Sequence, residues 1–191
     1  YFMEAPLYSN NNNIAEESYK VLEKLIDTAK ILKITDIVIP CVDQSSLKTR
    51  EAVSRFVKSI KRIIPTIEKE GINLSLETDL APKPFIELLD KLNSKNITVN
   101  YDIGNSAALG FNSYEELATY GDRITDIHIK DRVFEGGSIL LGEGNADFNV
   151  FFNKLTEFDY KGSFIMQAYR DEEGVEIFKK QLSWVMQYLS E

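Results

Sequence analysis

The sequence predicts an α/β fold, a parallel sheet covered by helices. Short apolar runs alternate with longer segments whose apolar residues recur at helical spacing, the rhythm of repeated βα units. Four polar residues, Glu77, Asp102, His128 and Gln167, each close one of the apolar runs and lie whole βα units apart, with a longer loop before the last. Length narrows the architecture. A closed (β/α)8 barrel typically takes about 250 residues, and the chain has 191. The pattern therefore fits either an open doubly wound sheet or a barrel lacking its first two βα units, in each case as one domain over 1–191.

The elements follow in order. Residues 1–7 (YFMEAPL) end like a strand and run into the Asn-rich loop at 10–13. Val21, Leu22, Leu25, Ala29 and Leu32 predict a helix over 14–33. DIVIPCV at 36–42 reads as a buried strand. A helix over 47–70 carries Phe56, Ile60, Ile63 and Ile67 on one face, is expected to kink at Pro65 and stops at Gly71. INLSLE at 72–77 is the next strand, and Pro84 opens a helix with Phe85, Leu88, Leu89 and Leu92. ITVNYD at 97–102 is a strand. Ser113 to Glu116 fits a capping box. ITDIHI at 124–129 is a strand, Asp147 caps a helix with Val150, Phe151 and Leu155, and GSFIMQ at 162–167 is the last strand. Residues 173–189 form the last helix, with Phe178, Leu182, Val185, Met186 and Leu189 expected to face inward.

Composition excludes several function classes. Hydrophobic residues make up 43% and charged residues 27%, the globular range. The net charge of −8 disfavours a phosphate-backbone binder, which needs a basic face. Cys41 is the only cysteine, so neither an intrachain disulfide nor a thiol-rich metal site can form. No apolar run approaches 18 residues, so no membrane partner is expected, and a cytoplasmic location is the default.

A carboxylate closing a hydrophobic strand is costly when buried and unpaired. Glu77, Asp102, His128 and Gln167 all project from the carboxyl end of a parallel sheet, where α/β folds place their chemistry. Glu, Asp and His suit a divalent ion such as Mn, Mg, Co or Zn, and Gln adds a neutral carbonyl oxygen. The bland readings stand beside this one: a solvated loop Glu, a structural His, and an Asx-turn between Asp102 and Gly104. Lys130 and Asp131 could hold substrate hydroxyls or orient His128. Asn105 could donate to a substrate oxygen, and Arg132 and Arg170 could meet a phosphate or carboxylate group.

The strings LSLETD, YDIGNSAALG, ITDIHIKDR, LGEGNADFNVFFNKL and YKGSFIMQ resemble the sugar phosphate isomerase/epimerase family. These are xylose isomerase-like TIM barrels that include hexulose-phosphate isomerases, ketose 3-epimerases and inosose dehydratases. H-x-K-D at 128–131 and G-x-G-x-x-D-F at 142–148 are the most specific parts. The resemblance implies a barrel whose first two βα units precede Tyr1. It implies one divalent metal ion held by Glu77, Asp102, His128 and Gln167, with Glu77 as base. The expected activity is isomerisation or epimerisation of a sugar or sugar phosphate through an enediolate. A dehydratase and a non-catalytic carbohydrate-binding member are the alternatives, and a homodimer is carried as an expectation. The chain departs at Gln167, where the family's second Glu is both ligand and acid/base. Gln can ligate but cannot exchange protons near neutral pH, which favours a one-base isomerase over a two-base epimerase. Endonuclease IV shares the superfamily, but its multi-zinc site takes several histidines, and this chain has one.

Overall fold

The structure, a computed structural model, describes residues 1–169 and 174–189. Its main sheet has five strands in the order β1-β2-β3-β4-β7, and its β1–β2, β2–β3 and β4–β7 pairs are parallel. These strands are β1 (Asp36–Cys41), β2 (Asn73–Thr78), β3 (Ile97–Asp102), β4 (Ile124–Ile129) and β7 (Ser163–Met166). Two short strands, β5 (Asp131–Arg132) and β6 (Ser138–Ile139), form a separate antiparallel pair. The chain divides into two compact units, 1–100 and 101–191. The division falls inside β3, whose last two residues, Tyr101 and Asp102, open the second unit.

The first unit packs α1 (Asn12–Leu32), α2 (Arg50–Glu70) and α3 (Pro82–Leu92) with β1 and β2. Asn11 caps α1 and Thr49 caps α2 by accepting backbone N–H groups, the usual service of short polar side chains at a helix start. Gly71 ends α2 at φ 67°, a left-handed conformation that a Cβ would strain. Pro65 lies inside α2, which continues to Glu70 around it. The buried face of α2 carries Phe56, Ile60, Ile63 and Ile67, each no more than 1% exposed. Residues 1–7 form turns and not the expected strand. Phe2 and Leu7 are buried there, so the apolar residues serve the core without a ladder partner.

The second unit holds β4 and β7 with α4 (Ile103–Ala108), α5 (Ser113–Tyr120), α6 (Phe148–Glu157) and α7 (Val175–Met186). Asn112 caps α5, one residue before the expected capping box, by accepting the Glu115 N–H. That frees Glu116 from the capping role, and it points inward instead. Its carboxylate is 1% exposed and accepts hydroxyls from Tyr101 at 2.8 Å, Ser106 at 2.8 Å and Tyr120 at 2.9 Å. Phe151 stacks on Tyr101 at 5.7 Å between ring centroids. On α7 the buried residues are Ile177, Gln181 and Val185. The expected inward face is corrected: Phe178, Leu182, Met186 and Leu189 are 38–44% exposed. The helix is turned so that Gln181 can hold two loops, donating to the Tyr169 carbonyl and accepting the Leu141 N–H.

Burial lifts the Glu116 carboxyl above its ordinary value, and its hydroxyl donors pull it partly back. The folded state therefore holds this proton more tightly than the unfolded chain. The resulting stability is complete below the ordinary carboxylate range and is lost as pH rises through the raised value. Denaturant titrations of native protein and Glu116→Gln across that window check this. The difference in stability between the two should shift against the native protein as pH rises; a pH-independent difference would contradict it.

Candidate functional site

Glu77 is the fifth residue of β2, Asp102 ends β3, His128 is the fifth residue of β4, and Gln167 follows β7 directly. All four thus stand at carboxyl ends of parallel strands, as the sequence predicts. In the first unit, Glu77 is half-buried and its Oε2 accepts the Asn100 amide at 3.0 Å. Asn100 is two residues before Asp102 on the same strand, so it shares a face with it.

In the second unit, Asp102 is 4% exposed, and its two oxygens have different partners. Oδ1 accepts the Asn105 N–H at 2.8 Å and caps α4. Oδ2 lies 3.8 Å from His128 Nδ1 and 3.4 Å from Lys130 Nζ. One oxygen fixes the chain reversal after β3, and the other faces the His128 ring and the Lys130 ammonium. His128 is 8% exposed and offers a ring nitrogen beside that second oxygen.

The Lys130 ammonium sits among three oxygens: Asp102 Oδ2, Asn105 Oδ1 at 3.3 Å and Gln167 Oε1 at 3.1 Å. Gly104 makes room for its stem, since a Cβ there would lie 2.8 Å from Lys130 Cγ. Arg132 donates from Nη1 to Asn105 Oδ1 at 2.9 Å, and from Nε and Nη2 to the Gly136 carbonyl. Asn105 therefore turns its carbonyl oxygen toward two cations. Arg132 is fastened along the hairpin and is not presented as an open anion fork. Beside Gln167 lies an open, mainly apolar recess of about 430 Å³ bordered by Tyr169, Val175 and Phe178. Arg170 lies outside the described residues.

Asp131 has a different place from the one the sequence suggests. It is fully buried, and both its oxygens accept backbone N–H groups: Oδ1 from Arg132 at 2.9 Å and Ala146 at 3.1 Å, Oδ2 from Gly142 and Gly144 at 2.9 Å. A Cβ at Gly144 would collide with this carboxylate. Gly142 has φ +86° and lies against Trp184. Asp147 then caps α6 by accepting the Val150 N–H. The H-x-K-D and G-x-G-x-x-D-F strings are thus two halves of one clamp. Asp131 binds the glycine loop instead of a substrate hydroxyl.

Residues 2–188 match the family described as xylose isomerase-like TIM barrel, and the chain belongs to it. It is 27% identical, over 96% of its length and 70% of the relative's, to a Haemophilus influenzae protein named for L-ribulose-5-phosphate 3-epimerase. It is 31% identical to the inosose dehydratase of Geobacillus kaustophilus over 45% of this chain and 34% of that protein. Two other relatives are matched over 53% and 63% of their length, so the chain spans only part of such proteins. Among solved structures, D-allulose 3-epimerase from Methylomonas sp. superposes with a TM-score of 0.78 at 20% identity, covering 96% of this chain and 73% of that one. The IolI protein with a bound zinc atom gives 0.75 at 19% identity, covering 94% and 73%. No described helix is long and apolar enough to cross a membrane.

Replacing Asp131 by Asn should destabilise the protein by about 3 kcal/mol, because an amide NH2 would confront buried backbone donors in the nest. Gly144→Ala should act in the same direction through the clash. Chemical denaturation checks both, and stability within about 0.5 kcal/mol of native for Asp131→Asn would contradict the clamp.

Proposed function

We propose that the chain is the site-bearing part of a metal-dependent isomerase or epimerase of sugars or sugar phosphates, forming one domain. The observation that carries this reading is the buried pair of Asp102 and His128, whose Oδ2 and Nδ1 lie 3.8 Å apart, and the reading adds Glu77, at the end of its own strand, as the third ligand. Two carboxylates and an imidazole are hard and borderline donors, suited to one Mn, Mg, Co or Zn ion. The division of Asp102 supports the fit. Its Oδ1 is occupied by the α4 cap while Oδ2 is directed to the His128 ring and the Lys130 ammonium. Membership of the family supports it, as do a relative named for ketose-phosphate epimerisation and a structural neighbour with zinc.

When bound, the ion would polarise the carbonyl and hydroxyl oxygens of a ketose and stabilise the negative charge of an enediolate. The residues of the chain do the rest. Glu77, held by Asn100, takes the proton from the carbon beside the carbonyl and delivers it, on the same face, to the former carbonyl carbon, while the hydroxyl proton passes from one oxygen to the other, so that carbonyl and hydroxyl exchange places. Lys130 brings a fixed positive charge to the side where Gln167 stands. Gln167 is a neutral ligand or hydrogen-bond partner there, without a proton to exchange. Asn105 orients Lys130 and Arg132. A dehydratase is the second reading, favoured by the similarity to inosose dehydratase and by the single exchangeable carboxylate on the substrate's two faces.

Elemental analysis of chelator-free protein should find one divalent ion per chain, and Glu77→Gln or His128→Ala should lose it. Two or more tightly bound ions, or none at any metal concentration, would sink the proposal. Gln167→Glu supplies the second carboxylate and should raise ketose 3-epimerase activity by about 10²–10⁴-fold, the worth of one general acid/base group. Unchanged epimerisation in a variant that still binds metal would count against the two-face argument.

A further inference from the structure

The buried Glu116 cluster brackets the segment from Asp102 to Asn105. Its Oε2 accepts the hydroxyl of Tyr101, the residue immediately before Asp102. Its Oε1 accepts the hydroxyl of Ser106, the residue immediately after Asn105. Tyr120, one turn further along α5, completes the set. Between Tyr101 and Ser106 the chain leaves β3 and winds into α4, a helix of six residues. A helix that short has no stability of its own in water, because nucleation is unfavourable and few backbone bonds follow it. Its geometry must come from what grips it. Among these grips are the Asp102 cap and Glu116, beside the Lys130 and Arg132 bonds to Asn105.

We infer that Glu116 is a positioning residue, fixing Asp102 and Asn105 by holding Tyr101 and Ser106 on either side of them. Through Asn105 Oδ1 the same clamp reaches Lys130 and Arg132. The carboxylate is well suited to this. It accepts three hydroxyls at once, which an amide or an apolar side chain cannot do. Burial makes those bonds strong and their loss expensive. Both Glu116 oxygens are engaged by hydroxyls, so its effect on chemistry runs through the placement of Asp102 Oδ2 and the Asn105 carbonyl. The functional consequence rests on the metal-site reading above; the structural one does not.

The test measures amide hydrogen exchange at Asn105, the N–H that caps onto Asp102, together with Co²⁺ affinity by absorption spectroscopy. Glu116→Leu should accelerate Asn105 exchange by about tenfold or more and weaken Co²⁺ binding by about 10–100-fold, the usual effect of losing a group that orients a metal ligand. Glu116→Gln should recover part of both, since its carbonyl still accepts. Ser106→Ala should change both in the same direction by less, and adding it to Glu116→Leu should change nothing further. Leu155→Ala, a core truncation on α6 outside the cluster, controls for lost stability and should leave Asn105 exchange and Co²⁺ affinity near native. Native values in a folded Glu116→Leu variant, or equal shifts in Leu155→Ala, overturn the inference. If Glu116→Leu fails to fold, Ser106→Ala decides by the same readouts. If native protein binds no Co²⁺, the metal reading fails, and Asn105 exchange still decides the positioning role.

Discussion

The site depends on a carboxylate that does two jobs. Asp102 stands where β3 ends and α4 begins, and its Oδ1 must satisfy a helix N-terminus that would otherwise be left bare. Only Oδ2 remains for chemistry, and the cap fixes its direction toward His128 and Lys130. Asn105, whose N–H completes the cap, uses its side-chain oxygen to hold Lys130 and Arg132. The backbone turn and the arrangement of charges are therefore one geometry. A substitution at Asp102 would remove a candidate ligand and also release the turn that orders its neighbours.

Two further carboxylates serve that geometry without joining it. Glu116 grips the chain on both sides of the turn by side-chain hydroxyls. Asp131, three residues beyond His128, gathers the glycine loop by backbone N–H groups and is buried more completely than any of the site residues. Both are buried anionic groups, which would be unfavourable alone and become useful because every oxygen has donors. The acidic character of the site region thus divides by environment. Carboxylates saturated with neutral donors build the scaffold, and those facing a histidine or an ammonium are the candidates for metal and proton chemistry.

Much of this was legible in the sequence. The strand-closing positions and their βα spacing put Glu77, Asp102, His128 and Gln167 each at the carboxyl end of its own strand, because strand length and helix length are set by burial periodicity. The strings around His128 and Gly142 pointed to the family, but not to what they do. Asp131 is next to Lys130 in sequence, and nothing in the string says that successive side chains turn to opposite sides, one to the site and one to the glycine loop. Residues 1–7 have a strand's composition without a strand's partner. On α7, apolar residues cover more than one face, so periodicity could not choose which side packs; the buried Gln181 with its two loop partners reveals it. Glu116 was hidden because Ser113 and Glu116 fit a capping box, whereas Asn112 makes the cap. The signal that could have found it is the pair of hydroxyl-bearing residues, Tyr101 and Ser106, flanking Asp102 to Asn105.

In the proposed function Glu77 is a working base beside a bound ion, and Gln167 cannot assist from the opposite face. Proton exchange at ketose C3 in deuterated solvent tests this most directly, since it reports abstraction by itself, whether or not the carbon is inverted. Metal-loaded native protein should wash deuterium into C3 of a ketose or ketose phosphate with retained configuration, and removing the metal or replacing Glu77 by Gln should stop it. No exchange on any such substrate, with one ion confirmed in the site, would contradict the isomerase reading and leave the fold's chemistry to elimination or to binding.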